Sequence, residues 1–369
     1  MIQEMKMLND LNIKNQEGII LNGEKINTLN GRLDLSKYCI TNTDVVEGFE
    51  QLQEVTEIIL EGRGFMKIPP LGNCMNLRLL TIKYTELSKI EGLDQLKKLE
   101  ELNLASNGFI RRIDGLEELV NLKKLDLSRS NITKIEGLDK LVNLRELRLQ
   151  QCGNFEEKRK EDCTSDEILT RIESLDNFTN LRLLDLADNR IERIEGLDNL
   201  VNLEVLNLSK NWISRMEGLA HLTSLQNLLL HENRIERIEG LEQCTKLKSL
   251  YLNKNRISRM EGLGALRNLE TLFVGINKIS KLEGLEGLAN LKCLSVRSNS
   301  IERLEGLNNT PLLEELEISG NRISNVDELL QLKQLQRLHV GGNPINRQDL
   351  RKLKQLPHLR EVTTFEPED

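Results

Sequence analysis

The sequence predicts an α/β solenoid, a right-handed coil of short parallel strands joined by equally short return turns. Three observations carry that reading: a 22-residue period, a Leu-x-Leu alternation inside each period, and an apolar fraction almost free of aromatics. Of 369 residues, 38% are hydrophobic and only 3% aromatic. A compact enzyme core usually draws bulk from Phe, Tyr and Trp. A chain that repeats one thin layer draws it from Leu and Ile.

The frame is Leu-x-x-Leu-x-Leu-x-x-Asn-x-Ile-x-x-Ile-Glu-Gly-Leu-x-x-Leu-x-x. Its first leucine recurs every 22 residues at Leu181, Leu203, Leu225, Leu247, Leu269, Leu291, Leu313 and Leu335. Toward the N-terminus the frame starts at Leu144, Leu122, Leu99, Leu77 and Val55. The 23-residue step from Leu99 accommodates one extra residue, Gly108 or Phe109, and the 37-residue step from Leu144 carries a 15-residue insertion, Gly153 to Glu167. A fixed period of this length marks stacked units, each burying its apolar side on its neighbours. About a dozen repeats fit.

Each column then has a physical reading. Leu-x-Leu is strand alternation, with both leucines turned to the core. The asparagines from Asn189 to Asn343 share an interior column, replaced earlier by Arg63, Thr85, Ser130 and Cys152; a buried amide there needs backbone partners. The glycines Gly92, Gly115, Gly137 and Gly196 to Gly306 mark a tight turn suited to a residue without Cβ. The remaining residues return as a 3₁₀ or single α turn on the convex side.

Residues 1–54 read as an N-terminal cap with irregular first repeats, 55–343 as the repeats with an insertion at 153–167, and 344–369 as a C-terminal cap. Met1 to Asn12 is expected to be helical, with irregular strands at Ile19-Ile20-Leu21 and Leu33-Asp34-Leu35. After Pro344, Gln348 to Leu356 reads as a short amphipathic helix ended by Pro357, with a last strand around Leu359 and Val362.

The formal net charge of −7 argues against nucleic-acid or anionic-membrane binding. The cysteines Cys39, Cys74, Cys152, Cys163, Cys244 and Cys293 have no paired spacing, which predicts reduced thiols and a cytoplasmic or nuclear protein. Of the histidines His221, His231, His339 and His358, His231 and His339 fall in or beside strand columns several repeats apart and cannot share a metal or a triad, and His221 lies on the convex return; no phosphate loop, nucleophile elbow or metalloprotease motif occurs. Neither a catalytic centre, a metal nor a cofactor is expected. The Glu column of the frame and the basic column two residues ahead of it read as facing charge ladders.

The candidate site is the concave strand face, at the residue between the two strand leucines. In chain order this is Asn103, Asp126, Arg148, Asp185, Asn207, Leu229, Tyr251, Phe273, Ser295, Glu317 and His339. The middle of the series is an apolar and aromatic patch of the kind that anchors protein interfaces. Asp126, Arg148, Asp185, Glu317 and His339 set polarity around it, and Trp212 sits at the rim.

The Asn-x-Ile-x-x-Ile-Glu-Gly-Leu signature at 22-residue spacing resembles the leucine-rich-repeat family, and within it the subfamily of the regulatory subunit of type 1 serine/threonine protein phosphatase. Leu33-Asp34-Leu35-Ser36-Lys37-Tyr38 with Val46-Glu47-Gly48-Phe49, and Asn343-Pro344 through Leu356-Pro357, are similar to the two ends of that repeat array. The resemblance implies a leucine-rich-repeat solenoid that is not an enzyme and grips the phosphatase catalytic subunit along its concave sheet through aromatic and acidic residues, here Tyr251, Phe273 and Glu317. Ciliary or microtubule-associated scaffolds carry the same signature and are the alternative. Bacterial surface adhesins carry it too and rank lower, since residues 1–13 do not read as a secretion signal.

Overall fold

The structure is a computed structural model that describes residues 17–41, 44–153 and 167–364. They fall into two compact units, Met1–Leu169 and Thr170–Asp369. In the first, β1 (Gly18–Leu21) and β2 (Glu24–Asn27) form an antiparallel hairpin. Its turn, Asn22-Gly23, has φ of 50° and 85°, the pair of left-handed conformations that Asn-Gly tolerates best. β3 (Arg32–Asp34) begins a parallel stack, while β4 (Val46–Glu47) returns to pair with β1. The stack continues through β5 (Glu57–Glu61), β6 (Leu79–Lys83), β7 (Glu101–Asn103), β8 (Lys124–Asp126) and β9 (Glu146–Arg148). The expected strands at Ile19 and Leu33 are therefore β1 and β3. The expected helix at Met1 to Asn12 lies outside the described residues.

An isolated antiparallel bridge between Gly153 and Ile168 closes the stem of the insertion, whose residues 154–166 lie outside the described chain.

The second unit is one parallel sheet: β10 (Leu183–Asp185), β11 (Val205–Asn207), β12 (Asn227–Leu229), β13 (Ser249–Tyr251), β14 (Thr271–Phe273), β15 (Cys293–Ser295), β16 (Glu315–Glu317), β17 (Arg337–His339) and β18 (Glu361–Thr363). From β10 to β17 each strand pairs with the next in a register of one frame. Short α1 (Arg347–Lys352) is capped by the Asn346 side chain, which accepts from the Asp349 N–H at 2.8 Å. It passes into a 3₁₀ turn at Leu353–Gln355 rather than running as α-helix to Leu356, because a residue before proline is driven out of the helical region. β18 is the expected last strand.

In β10 to β14 and in β16 the central leucine is buried and its two neighbours half-buried. One frame, Leu203, Leu206, Leu208, Ile213, Met216, Leu219 and Leu222, contributes seven side chains that are at most 1% exposed. Each such side chain is worth roughly 1.5–3 kcal/mol of burial, and no layer can bury them without its neighbours. The return segments are mostly successive turns with 3₁₀-type bonds, such as Leu200 N–H to Leu197 O and Leu203 N–H to Leu200 O. Longer 3₁₀ pieces occur at Leu307–Asn309 and Asp327–Gln331.

The glycine column answers to two constraints at once. Gly240 and Gly262 have φ of 74°, and a Cβ on either would lie 2.3 Å from a carbonyl oxygen of the preceding repeat, Met216 or Ile238. No helix among the described residues is long and apolar enough to cross a membrane.

Candidate protein-binding surface

The strand face is held in place by the interior asparagines. Asn255 is representative. Its Oδ1 accepts the N–H of Ile235 in the preceding repeat at 3.0 Å. Its Nδ2 donates to Leu230 O of that repeat (2.9 Å) and to Leu252 O and Asn253 O of its own (3.0 and 3.4 Å). Asn211, Asn233, Asn277, Asn299, Asn321 and Asn343 repeat these bonds. One amide thus ties two layers together and satisfies backbone groups that neither strand nor turn can reach. In the first unit Ser130 donates to Leu127 O at 2.7 Å, and Cys152 reaches the same oxygen only weakly, at 3.6 Å.

On this scaffold the residues between the strand leucines fall into separate groups. The first unit sets Asn103, Asp126 and Arg148 side by side in register. Asn103 and Asp126 each accept the N–H two residues ahead, from Ala105 at 3.1 Å and Ser128 at 3.0 Å. Arg148 turns to Glu146 of its own strand, at 2.9 Å. In the second unit Asp185 and Asn207 make the same local bond, from Ala187 at 3.0 Å and from Ser209 at 3.2 Å.

Leu229, Tyr251 and Phe273 follow in consecutive register. They are half-buried rather than fully exposed, because neighbouring side chains cover part of each. Tyr251 and Phe273 meet edge to face, with centroids 5.3 Å apart and planes at 88°, a favoured aromatic geometry. Beyond them Ser295 is buried and donates to the Glu317 carboxylate at 2.6 Å, and Glu317 stands in register with His339.

Replacing Asx by an apolar side chain leaves backbone behind. Among the described residues, the amide N–H groups of His231, Asn253 and Gly275, each two residues beyond Leu229, Tyr251 or Phe273, have no acceptor, as is also true of Ser319 and Gly341 beyond Glu317 and His339. The Oδ1 of Asn253 is buried without a partner. At the same edge Ile276 holds a left-handed φ of 55°, costly for a β-branched residue. Strain and unsatisfied polar groups concentrate at functional sites, and here both border the apolar ladder.

Trp212 lies between two guanidinium groups, Arg190 at 3.9 Å and Arg234 at 4.0 Å from the ring centroid, so both ring faces are covered and its edge is what a partner would meet. Burial holds the His231 imidazole below its ordinary pKa, reinforced by Lys210 and Lys254 and opposed by Glu232. Burial also pushes the Cys74 thiol up to about 12 and that of Cys244 to about 11, which keeps both protonated and unreactive.

The charge columns pair between layers: Arg193 with Glu217 (3.7 Å), Arg215 with Glu239 (3.4 Å), Arg237 with Glu261 (3.1 Å) and Arg259 with Glu283 (3.2 Å). These exposed pairs support register more than stability.

Three features lie beyond the columns expected from the sequence. Asn107 is a full member of the interior column, accepting from Thr85 N–H at 3.1 Å and donating to Ile82 O and Leu104 O at 2.8 Å. A second asparagine ladder ends the frame, with Asn202 donating to Thr179 O, Asn268 to Thr245 O and Asn290 to Arg267 O. Its 22-residue recurrence was there to find. The third, the local Asx bond on the strand face, has no signal beyond Asn or Asp between two leucines.

Residues 179–221, 223–265 and 246–289 match the family of Leucine Rich repeats (2 copies). No curated protein matches the sequence. Among solved structures, an internalin of Listeria monocytogenes is 28% identical, covers 88% of this chain and 91% of its own, and superposes with a TM-score of 0.75. A leucine-rich-repeat protein of Leptospira interrogans is 24% identical over 89% of this chain and 94% of its own, TM-score 0.63. The functional domain of InlJ from Listeria monocytogenes is 19% identical over 92% and 74%, TM-score 0.64; these last two bear on the fold alone. The matched segments are leucine-rich repeats, and the chain takes the leucine-rich-repeat solenoid fold, one that typically serves as a non-enzymatic protein-binding scaffold.

Proposed function

We propose that this protein binds a partner protein through the strand face of its second unit, with Leu229, Tyr251 and Phe273 as anchors. The observation that carries the reading is the ladder itself: three apolar side chains in register, bordered by N–H groups at His231, Asn253 and Gly275 that are unpaired among the described residues. Rigid aromatics beside unsatisfied donors are what a partner segment would cover and pair. The partner proposed is the catalytic subunit of type 1 protein phosphatase, on the resemblance of the Asn-x-Ile-x-x-Ile-Glu-Gly-Leu signature and the two ends of the array. A cytoplasmic or nuclear location goes with that partner.

A pull-down of the purified protein against that catalytic subunit tests it, with Phe273→Glu as control. Binding by the wild type that Phe273→Glu abolishes, at nearly unchanged thermal stability, is the expected result. If Phe273→Glu unfolds the chain, Phe273 is core and the anchor assignment fails. If the folded wild type does not bind, the phosphatase partner falls and the cytoskeletal scaffold takes its place.

A second reading has its own observation. The likeness to the Listeria internalin, at 28% identity over 88% of this chain, favours a bacterial scaffold that uses the same face for a different partner.

A further inference from the structure

The first unit carries a second surface, independent of the strand face. The 23-residue repeat that starts at Leu99 places its extra residue at Gly108-Phe109, and Phe109 stands 56% exposed. One repeat earlier Tyr84 is also 56% exposed and holds a left-handed φ of 55°. The corresponding residues of the next two repeats, Ser106 and Arg129, share that conformation at 63° and 56°. Among the described residues Tyr84 is the one aromatic so held. Ser106 is small, and between Tyr84 and Arg129 it leaves a gap.

That gap is a cleft of about 650 Å³ lined by Tyr84, Phe109, Arg63, Arg111 and Arg129, with Glu86 as its single acid. The contrast with Arg112 is instructive, since it is paired with Glu136 at 3.5 Å. Arg63, Arg111 and Arg129 make no ion pair among the described residues. Beneath them Thr85 is buried and fixed by the Asn107 amide, so the floor is rigid. Two exposed aromatics cost solvation, and three uncompensated guanidinium groups present planar forks matched to carboxylates.

We propose that this cleft docks an acidic segment of a partner protein, its carboxylates on Arg63, Arg111 and Arg129 and an aromatic or apolar side chain between Tyr84 and Phe109. A single-stranded nucleic acid also stacks on aromatics and is drawn to arginine. The observations favour a peptide: the three guanidinium groups line one cleft of about 650 Å³, room for a short segment, and the chain as a whole carries a net charge of −7, which opposes a long polyanion.

The test uses the full chain and a fluorescein-labelled peptide of alternating glutamate and phenylalanine, read by fluorescence anisotropy. Arg111→Ala and Phe109→Ser change exposed side chains, and circular dichroism checks that both variants fold. The expected result is saturable binding, weakened at least ~10-fold in each variant, about 1.4 kcal/mol. The Phe273→Glu variant binds as the wild type does, which separates this cleft from the strand face. The proposal is overturned if the acidic peptide does not bind, if either variant binds it normally, or if its lysine-for-glutamate counterpart binds equally. It is also overturned if a labelled oligothymidylate binds more tightly and Arg111→Ala abolishes that binding.

Discussion

Two neighbouring stretches of the second unit share one backbone and finish their strands in opposite ways. At Asp185 and Asn207 the side chain between the strand leucines folds back and accepts the N–H two residues on. At Leu229, Tyr251 and Phe273 that place is apolar, and among the described residues the N–H groups of His231, Asn253 and Gly275 find no acceptor. The polar stretch satisfies these N–H groups itself, whereas the apolar stretch offers its own to a partner under the binding reading proposed above. Among the described residues the N–H groups of Ser319 and Gly341, beyond Glu317 and His339, likewise lack an acceptor, so what sets the apolar stretch apart is the coincidence of bare N–H groups with aromatic side chains.

If the two stretches differ only in this surface, the interior should not tell them apart. Asn211→Ala and Asn255→Ala each remove the amide that bridges two layers. Each should cost roughly 2–4 kcal/mol, from backbone groups left buried and unpaired. Chemical denaturation of both variants checks this, and a large inequality between them would break the comparison.

Phe273→Asn turns the apolar stretch into the polar one. The new side chain can accept the Gly275 N–H, so the lost ring pair, about 0.5–1.5 kcal/mol, is offset by a bond of similar worth. Stability should stay within ~1 kcal/mol while partner affinity falls more than ~10-fold. Denaturation read beside calorimetric titration with the partner separates these outcomes.

Ile276 sharpens the same contrast by a smaller amount. Its left-handed conformation suits asparagine far better than a β-branched residue. Ile276→Asn should stabilise the fold by ~0.5–1 kcal/mol and weaken partner binding, a trade visible as opposite shifts in Tm and affinity.

The smallest effect belongs to His231. Folding holds its imidazole below the ordinary 6.5, chiefly through burial, so the unfolded chain takes up the proton first. Its contribution to stability is present above about 6.5 and is lost as pH falls through and below that value. Tm measured against pH should show this slope in the wild type, and His231→Gln should flatten it.

The regular part of this molecule is legible because identical layers face identical constraints. Leu203, Ile213 and Gly218 hold equivalent places in one layer and in the next for the same reason, so their spacing alone specifies strand, turn and register. Tyr251 and Phe273 could be assigned to the strand face by parity, since alternate strand residues point to opposite sides. The strand face itself, the interior asparagines and the paired charge columns follow from the same arithmetic.

What escaped that arithmetic depends on distances between layers. Whether Tyr251 stands free or packs on Phe273, whether Trp212 is open or sandwiched by Arg190 and Arg234, and which N–H lacks an acceptor are set across repeats 22 residues apart. The cleft at Tyr84 and Phe109 belongs to the same class, formed where one layer is a residue longer than its neighbours. Periodic burial of leucine is a one-layer property, and the sequence by itself determined it. Surface chemistry is a property of several layers together, because a side chain's exposure and partners come from the repeats above and below it. That part only the tertiary structure decided.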